Sequence, residues 1–189
     1  MGERMKVLTV VGSPRRGGNT DTVLGAMVEE LEKGGCRINN VYLNEIQMRG
    51  CQGCMSCKKA TDHCVQKDGM TPVYDLIQES GLVLMGTTVY LWDVTGQFKL
   101  FVDRFFAFWE KSYRGRIRAG KTAVLVTVLG QDNIKMGRDV SDKYVSLFKS
   151  FGFSRVEPLI FPGVNSRGAM LKRPDYLEAA RELVRKVMK

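Results

Sequence analysis

The sequence predicts an α/β fold: a five-stranded parallel sheet with helices on both faces. Three observations carry that expectation. Short β-branched apolar runs of strand length alternate along the chain with segments whose apolar residues repeat at helical spacing. The runs Lys6 to Val11, Leu82 to Gly86 and Thr122 to Val128 are largely apolar rather than alternating apolar and polar, as strands buried on both faces are. The 189 residues, 44% of them hydrophobic, suit one core of this kind and leave little for a second. A single domain over residues 1–189 is therefore expected.

Taken in order, the first strand is Lys6 to Val11. The first helix carries Val23, Leu24, Met27, Val28 and Leu31 on one stripe with Glu29, Glu30 and Glu32 opposite, and Gly34-Gly35 ends it. A second strand covers Ile38 to Leu43, a second helix about Pro72 to Glu79, and a third strand Leu82 to Gly86. Phe98, Phe101, Val102, Phe105 and Phe106 stand at helical spacing, which reads as core packing rather than a cofactor box. Thr122 to Val128 is the fourth strand, Val140, Tyr144, Phe148 and Phe151 mark a fourth helix, and Val156 to Phe161 is the fifth strand. The last helix, from about Asp175, buries Leu177, Ala180, Leu183, Val184 and Val187, and its closing Arg185, Lys186 and Lys189 suit the negative end of the helix dipole. Strict alternation of strand and helix implies right-handed crossovers and the flavodoxin-like order 2-1-3-4-5, a three-layer sandwich.

In such a sheet the ligand sits beyond the carboxyl ends of the strands, where the order reverses between the first and third. That rule singles out the loops Gly12 to Thr20, Thr87 to Gly96 and Leu129 to Arg138. The last of these is less diagnostic and is left out of the expected site.

Several function classes recede on composition. Val7 to Val11, Leu82 to Met85 and Ala123 to Val128 are far shorter than the roughly 20 residues of a membrane-spanning helix. The start, Met1 to Lys6, leads into a strand rather than an apolar segment with a cleavage site, and Lys6 stands where a myristoylation motif wants Ser or Thr, so a cytoplasmic location is expected. The net charge of +9 is mostly scattered, apart from Arg15-Arg16 and a loop with Lys111, Arg114, Arg116, Arg118 and Lys121. No helix-turn-helix pattern, aromatic RNA-binding signature or basic tail accompanies it, so a nucleic-acid partner is not expected. The basic loop suits an acidic electron-transfer protein or a nucleotide phosphate, with a plain solvated loop as the alternative. The one histidine, His63, leaves no Ser-His-Asp triad and no His-rich zinc centre.

After the first strand comes Gly12-Ser13-Pro14-Arg15-Arg16-Gly17-Gly18-Asn19-Thr20, followed at once by the amphipathic helix. Glycines let backbone N–H groups converge, the helix N-terminus adds partial positive charge, and Ser13, Asn19 and Thr20 can add donors. Both the Lys-Ser/Thr ending of a triphosphate loop and the dinucleotide fingerprint are missing, so a single terminal phosphate, as on FMN, fits better. The plain alternative is that Ser13, Asn19 and Thr20 only cap the helix. Against it stands the loop after the third strand, Thr87-Thr88-Val89-Tyr90-Leu91-Trp92, which offers a flat isoalloxazine ring aromatic surface and backbone polar groups.

With Gly12 to Arg15, Gly18 to Thr20, Thr87 to Tyr90, Gly96 to Lys99 and Asp103-Arg104, the chain resembles the NADPH-dependent FMN reductase group of flavodoxin-fold proteins. The resemblance implies that Ser13, Arg15, Gly18, Asn19 and Thr20 bind the FMN phosphate and that Thr88, Val89, Tyr90, Leu91 and Trp92 line the ring. One departure stands out: Thr88 replaces the usual proline, which is expected to loosen this loop.

Cys51-x2-Cys54-x2-Cys57-x6-Cys64 places three thiols within seven residues and a fourth shortly after. Cysteines every third residue can wrap three corners of an iron-sulfur cube, with a short excursion for the fourth. Zinc usually pairs two knuckles roughly 12 to 20 residues apart, which this spacing does not offer. A Cys-x-x-Cys redox pair, disulfides or a metal-free loop remain as alternatives. The motif is similar to that of the iron-sulfur flavoproteins. The resemblance implies an FMN oxidoreductase exchanging electrons with a 4Fe-4S cluster on Cys51, Cys54, Cys57 and Cys64. It also implies NAD(P)H as a donor, a ferredoxin-like electron-transfer partner, and a homo-oligomer, dimer or tetramer, that brings cluster and flavin together. No side chain is expected to act as nucleophile or base. A cluster-free NAD(P)H-dependent FMN, quinone or nitro reductase and a zinc-stabilised binding module stay open. Cys36 reads as a buried structural residue and His63 as a solvent-facing one. Trp109 is read as packing or as a subunit contact.

Overall fold

The computed structural model describes residues 4–188; Met1, Gly2, Glu3 and Lys189, which entered the readings of the start and of the last helix, lie outside the described residues. Five strands, β1 (Lys6–Val11), β2 (Arg37–Tyr42), β3 (Leu82–Thr88), β4 (Thr122–Val128) and β5 (Arg155–Phe161), form one sheet in the order β2-β1-β3-β4-β5. All four pairings are parallel. The helices are α1 (Asn19–Lys33), α2 (Ser56–Lys59), α3 (Thr71–Glu79), α4 (Gly96–Arg104), α5 (Ile134–Ser150) and α6 (Pro174–Val187).

Side chains alternate across each central strand, so one strand feeds two cores. Leu8 and Val10 of β1, Val83 and Met85 of β3, and Ala123 and Leu125 of β4 enter the core shared with Val73, Phe98, Phe101 and Phe148 of α3, α4 and α5. Val7, Val11, Leu82, Leu84, Val124 and Val126 enter the other, with Val23, Leu24 and Met27 of α1 and Val184 of α6. The three-layer, flavodoxin-like architecture is the one expected.

Local signals held where their chemistry was specific. Helix α1 ends as Gly34-Gly35 suggested: Gly35 has φ of +79°, its N–H reaches Glu32 O at 2.9 Å, and the Cys36 N–H reaches Leu31 O at 3.0 Å, a left-handed turn that glycine adopts without steric cost. β3 runs two residues beyond the expected Gly86, to Thr88, and β2 starts and ends one residue earlier than read. The aromatic helix stops at Arg104 and continues as a 3-10 turn, Phe105–Phe108. At the far end Arg185 is drawn sideways to Glu30 at 2.6 Å and Glu178 at 2.9 Å, instead of only facing the dipole of α6. Among the described residues no helix is long and apolar enough to cross a membrane.

Candidate functional site

β1 and β3 run in register with Val11 opposite Gly86, so the loops that leave them emerge side by side. Three bonds tie these loops. The Gly12 N–H donates to Gly86 O at 2.7 Å, the Thr95 hydroxyl donates to Gly12 O at 2.5 Å, and Thr20 Oγ1 and Thr88 Oγ1 share a hydrogen bond of 2.9 Å. The glycine at 86 is what lets α1 come so close: a Cβ there would lie 2.6 Å from Leu24 and 2.7 Å from Thr20. Thr88, expected to loosen its loop, instead fastens it to α1.

The loops enclose a cleft of about 500 Å³ lined by Ser13, Arg15, Gly18, Asn19 and Thr20 on one side and Thr88, Val89 and Tyr90 on the other. Gly18 is the N-cap of α1, and no side chain caps the helix. The capping alternative for Ser13, Asn19 and Thr20 therefore does not describe this helix, and its first-turn amides lack intrahelical partners at the cleft. The two arginines divide. Arg16 is committed to Glu45, at 2.5 and 3.0 Å, and stacks 3.8 Å over the Tyr42 ring. Arg15 is exposed, and among the described residues no carboxylate pairs with it. An uncapped fifteen-residue helix with an uncommitted arginine beside it is a donor set that fits a phosphate.

Asn19 plays a different part from the one its residue type suggested. Its amide donates to Val164 O at 3.2 Å and Ser166 O at 2.8 Å, and its oxygen accepts from the Met170 N–H at 3.1 Å. The side chain thus ties down the loop after β5. That loop supplies Val164, Asn165 and Arg167 to the cleft wall, and Gly130 and Gln131 come from the loop after β4. Neither set was included in the site expected from the sequence. The strand-end rule had pointed to Leu129 to Arg138, while nothing distinctive in the residues marked the loop at 162–168.

Of the five residues expected along the ring, Thr88, Val89 and Tyr90 face the cleft. Leu91 and Trp92 occupy the tip of a tight turn closed by reciprocal Tyr90 and Asp93 backbone bonds of 2.8 and 3.0 Å. Both have positive φ, +46° and +62°, and they are 90% and 71% exposed. They border an adjoining recess with Val89, Gly130 and Gln131. Bulky side chains in left-handed backbone are strained, and such strain concentrates at ligand sites.

The cysteines sit on the irregular segment between β2 and α3. Cys51, Cys54, Cys57 and Cys64 all line one small cavity with Arg104, Phe106 and Gln66 among its other walls. Gly53 and Met55, with φ of +63° and +62°, bend the backbone on either side of Cys54. The short helix α2, which periodicity did not reveal, carries Cys57, the one buried member of the four. Hydrogen bonds from the backbone and side chain of Ser56 lower the Cys54 thiol below its ordinary value. Among the described residues no three His, Cys, Asp or Glu side chains converge on a single-ion site. The wall itself offers four thiols and neither carboxylate nor imidazole, a soft donor set that suits iron-sulfur ligation.

Three cations hold this segment. Lys58 donates to Trp109 O at 2.5 Å and also to Phe106 O. Arg116 reaches Cys57 O at 3.1 Å, Asp62 O at 2.8 Å and Ala107 O at 3.1 Å, and Arg104 reaches Arg49 O at 2.8 Å. The expected basic loop is thereby broken up. Arg116 is a clamp, Arg114 pairs with Glu110 at 2.8 Å, and Lys121 is buried with its ammonium 2.6 Å from Ser80 O. His63 is solvent-facing beside Asp62 at 2.9 Å, and Trp109 packs on Phe151 while donating to Ser150 O at 2.9 Å.

The chain is 38% identical over 100 residues to an iron-sulfur flavoprotein of Archaeoglobus fulgidus, an alignment covering 53% of this chain and 45% of that protein. It is 30% identical over 129 residues to an iron-sulfur flavoprotein of Methanocaldococcus jannaschii, covering 68% of this chain and 64% of that one. The matched region thus spans about half the length of the first of these relatives and under two thirds of the second. In structure it resembles an NAD(P)H:quinone oxidoreductase from Methanothermobacter marburgensis, with a TM-score of 0.78 at 18% identity over 99% of this chain and 98% of that one, a likeness of fold. The model of the NADPH-dependent FMN reductases matches residues 5–139, which take in both cleft loops through Tyr90 and the whole cysteine segment. On that match, this chain belongs to the NADPH-dependent FMN reductase family.

Proposed function

We propose that the chain is an FMN-dependent oxidoreductase of the iron-sulfur flavoprotein type, with FMN in the cleft between the β1 and β3 loops and a 4Fe-4S cluster on Cys51, Cys54, Cys57 and Cys64. The observation that carries the reading is the meeting of all four cysteines on one cavity in a chain whose separate cleft has the donors of a one-phosphate site. The names of the iron-sulfur flavoproteins it resembles support it. When bound, FMN exchanges electrons in pairs or singly and the cluster exchanges them one at a time.

The chain's own part is binding and orientation. Arg15 and the open first turn of α1 meet the phosphate. Thr20 and Thr88 fix the distance between the two loops, while Val89 and Tyr90 give the ring an apolar face, with Leu91 and Trp92 at its rim. Lys58 and Arg116 hold the backbone on which Cys57 sits, so the thiols are presented from a fixed loop. Among the described residues the cleft lining carries no carboxylate or imidazole, and this reading assigns the chemistry to the cofactors. A homo-oligomer, a ferredoxin-like partner and NAD(P)H as donor belong to this reading.

A second reading, a cluster-free NAD(P)H-dependent FMN, quinone or nitro reductase, is favoured by the smallness of the cysteine cavity and the lack of a convergent ligand group. The lack of convergence weighs more heavily against zinc, whose Zn–S bonds near 2.3 Å require thiolates within about 4 Å of one another. Protein prepared without oxygen decides between the readings by iron, acid-labile sulfide and acid-released flavin. About four iron and four sulfide per chain with FMN supports the first. FMN without iron supports the second, and FAD overturns the one-phosphate assignment.

A further inference from the structure

Arg104, the last residue of α4, is a fully buried guanidinium, with its side chain 0% exposed. Nη1 donates to Asp68 Oδ2 at 2.6 Å and to Arg49 O at 2.8 Å, and Nε donates to the Tyr74 oxygen at 3.3 Å. Those contacts use three of its five N–H groups. The remaining nitrogen, Nη2, is buried with no hydrogen-bond partner. Buried donors to which no acceptor is supplied are rare, and each calls for a reason.

The reason lies in where the arginine stands. Arg104 lines the cysteine cavity, whose wall offers sulfur as its abundant acceptor. Cys64 is close enough to act electrostatically on both Arg104 and Tyr74. We propose that Arg104 is a positioning residue of the cluster site, its free Nη2 donating to a sulfur of the bound iron-sulfur group and thereby favouring the reduced form. The inference rests on the cysteine reading above and adds to it the residue that sets the potential. Hydrogen bonds to cluster sulfurs and the charge around them are principal determinants of potential. Reduction adds one electron to an already anionic cluster, so a donor and cation at its edge gains more from the reduced state than from the oxidised one.

Asp68 keeps this arginine in place. Its carboxylate also accepts from the Arg49 and Met70 N–H groups, each at 3.0 Å, so the segment on either side of the cysteines closes around the guanidinium. Helix α4 makes the arrangement continuous with the cleft, because its N-cap Thr95 bonds Gly12 O while Arg104 ends it. FMN content therefore serves as an internal control on folding.

The test uses anaerobically prepared full chain and Arg104→Lys, which keeps a cation for Asp68 but cannot serve the carboxylate and a sulfur together. Iron, sulfide and FMN should be retained. In an EPR-monitored titration the ratio of reduced to oxidised cluster at a fixed potential should fall about tenfold, equivalent to about 59 mV for one electron. Pulsed EPR on reduced wild-type protein carrying 15N-guanidinium arginine should show nitrogen coupling to the cluster, a measurement that stands even if the variant folds poorly. Full iron in both proteins with an unshifted potential, or no arginine coupling in the wild type, overturns the role of Arg104 and leaves the cluster in place. Wild-type protein holding FMN without iron overturns both.

Discussion

Thr20 Oγ1 and Thr88 Oγ1 lie 2.9 Å apart, a hydrogen bond that joins the first turn of α1 to the last residue of β3 across the point where the strand order reverses. Thr20 is buried, so the pair is partly shielded from water and sets the spacing between the phosphate side of the cleft and the ring side. Thr88→Val keeps the shape and removes the hydroxyl, leaving Thr20 without its partner. The expected outcome is a loss of about 1 kcal/mol in stability, as for one hydrogen bond, and FMN affinity weakened about fivefold. Thermal unfolding and flavin-fluorescence titration check it; an unchanged affinity would show that the spacing is set elsewhere.

Arg15 and Arg16 look alike in the sequence and are opposites in the fold. Arg16 is locked to Glu45 and Tyr42, whereas Arg15 lines the cleft uncommitted. Arg15→Ala should weaken FMN binding by roughly 10- to 100-fold, the worth of a charge-assisted bond to phosphate, with little effect on thermal stability. Arg16→Ala should do much less. Equal effects from both would mean that general positive charge, rather than the position of Arg15, attracts the cofactor.

The strain at Leu91 and Trp92 gives a prediction of opposite signs. A two-residue turn with positive φ at both central positions favours Asn-Gly. Leu91→Asn with Trp92→Gly should therefore stabilise the chain, by about 1 to 2 kcal/mol, while weakening FMN binding through loss of the apolar rim. If the double variant were less stable, the two side chains would be holding the turn rather than straining it.

These three sites also mark what the sequence discloses. The apolar runs of the central strands and the helical stripes specify their elements because burial demands them, and the strict alternation of strand and helix pointed to the flavodoxin-like order that the sheet has. The first loop was legible because Gly12 to Thr20 lies contiguous beside a helix start. By contrast, Val164, Asn165 and Arg167 reach the cleft on a loop that Asn19, 145 residues before Val164, anchors through the carbonyls of Val164 and Ser166. The local roles of two basic-loop residues were illegible for a related reason. Arg116 and Lys121 find backbone carbonyls to serve only after the chain has folded back on the cysteine segment and on Ser80.

Asp93 links the cleft to pH. Burial alone would raise its carboxyl, but hydrogen bonds from Lys143, the Val94 N–H and the Tyr144 hydroxyl outweigh it and hold the group below the usual carboxylate range. A depressed native value means that this group's contribution is fully present above the unfolded value, near 3.9, and is lost as pH falls through the native one. FMN affinity of the wild type should therefore drop below about pH 4 as the Tyr90–Asp93 turn loosens. Asp93→Asn should have weaker affinity at neutral pH and a flatter profile in that window. Matching profiles for the two proteins would assign the acid response to other carboxylates.

Replacing Cys57 with Ser tests whether the two sites are separable. Cys57 is the buried thiol of the four, and a serine hydroxyl is a far poorer iron ligand than a thiolate. The backbone around it does not depend on the sulfur, since Arg116 binds the Cys57 carbonyl and Lys58 binds those of Phe106 and Trp109. The loop should therefore keep its shape while iron and sulfide fall well below the wild-type content. FMN should remain bound, because Ser13 to Thr20 and Thr88 to Tyr90 contribute nothing to the cysteine cavity. Reduction of the flavin by a small chemical reductant should persist, and electron transfer that requires iron should be lost. Metal analysis, flavin release and stopped-flow reduction of the two proteins measure each arm. A variant equal to the wild type in iron and turnover would remove the cysteines from the chemistry and leave the simpler flavin reductase.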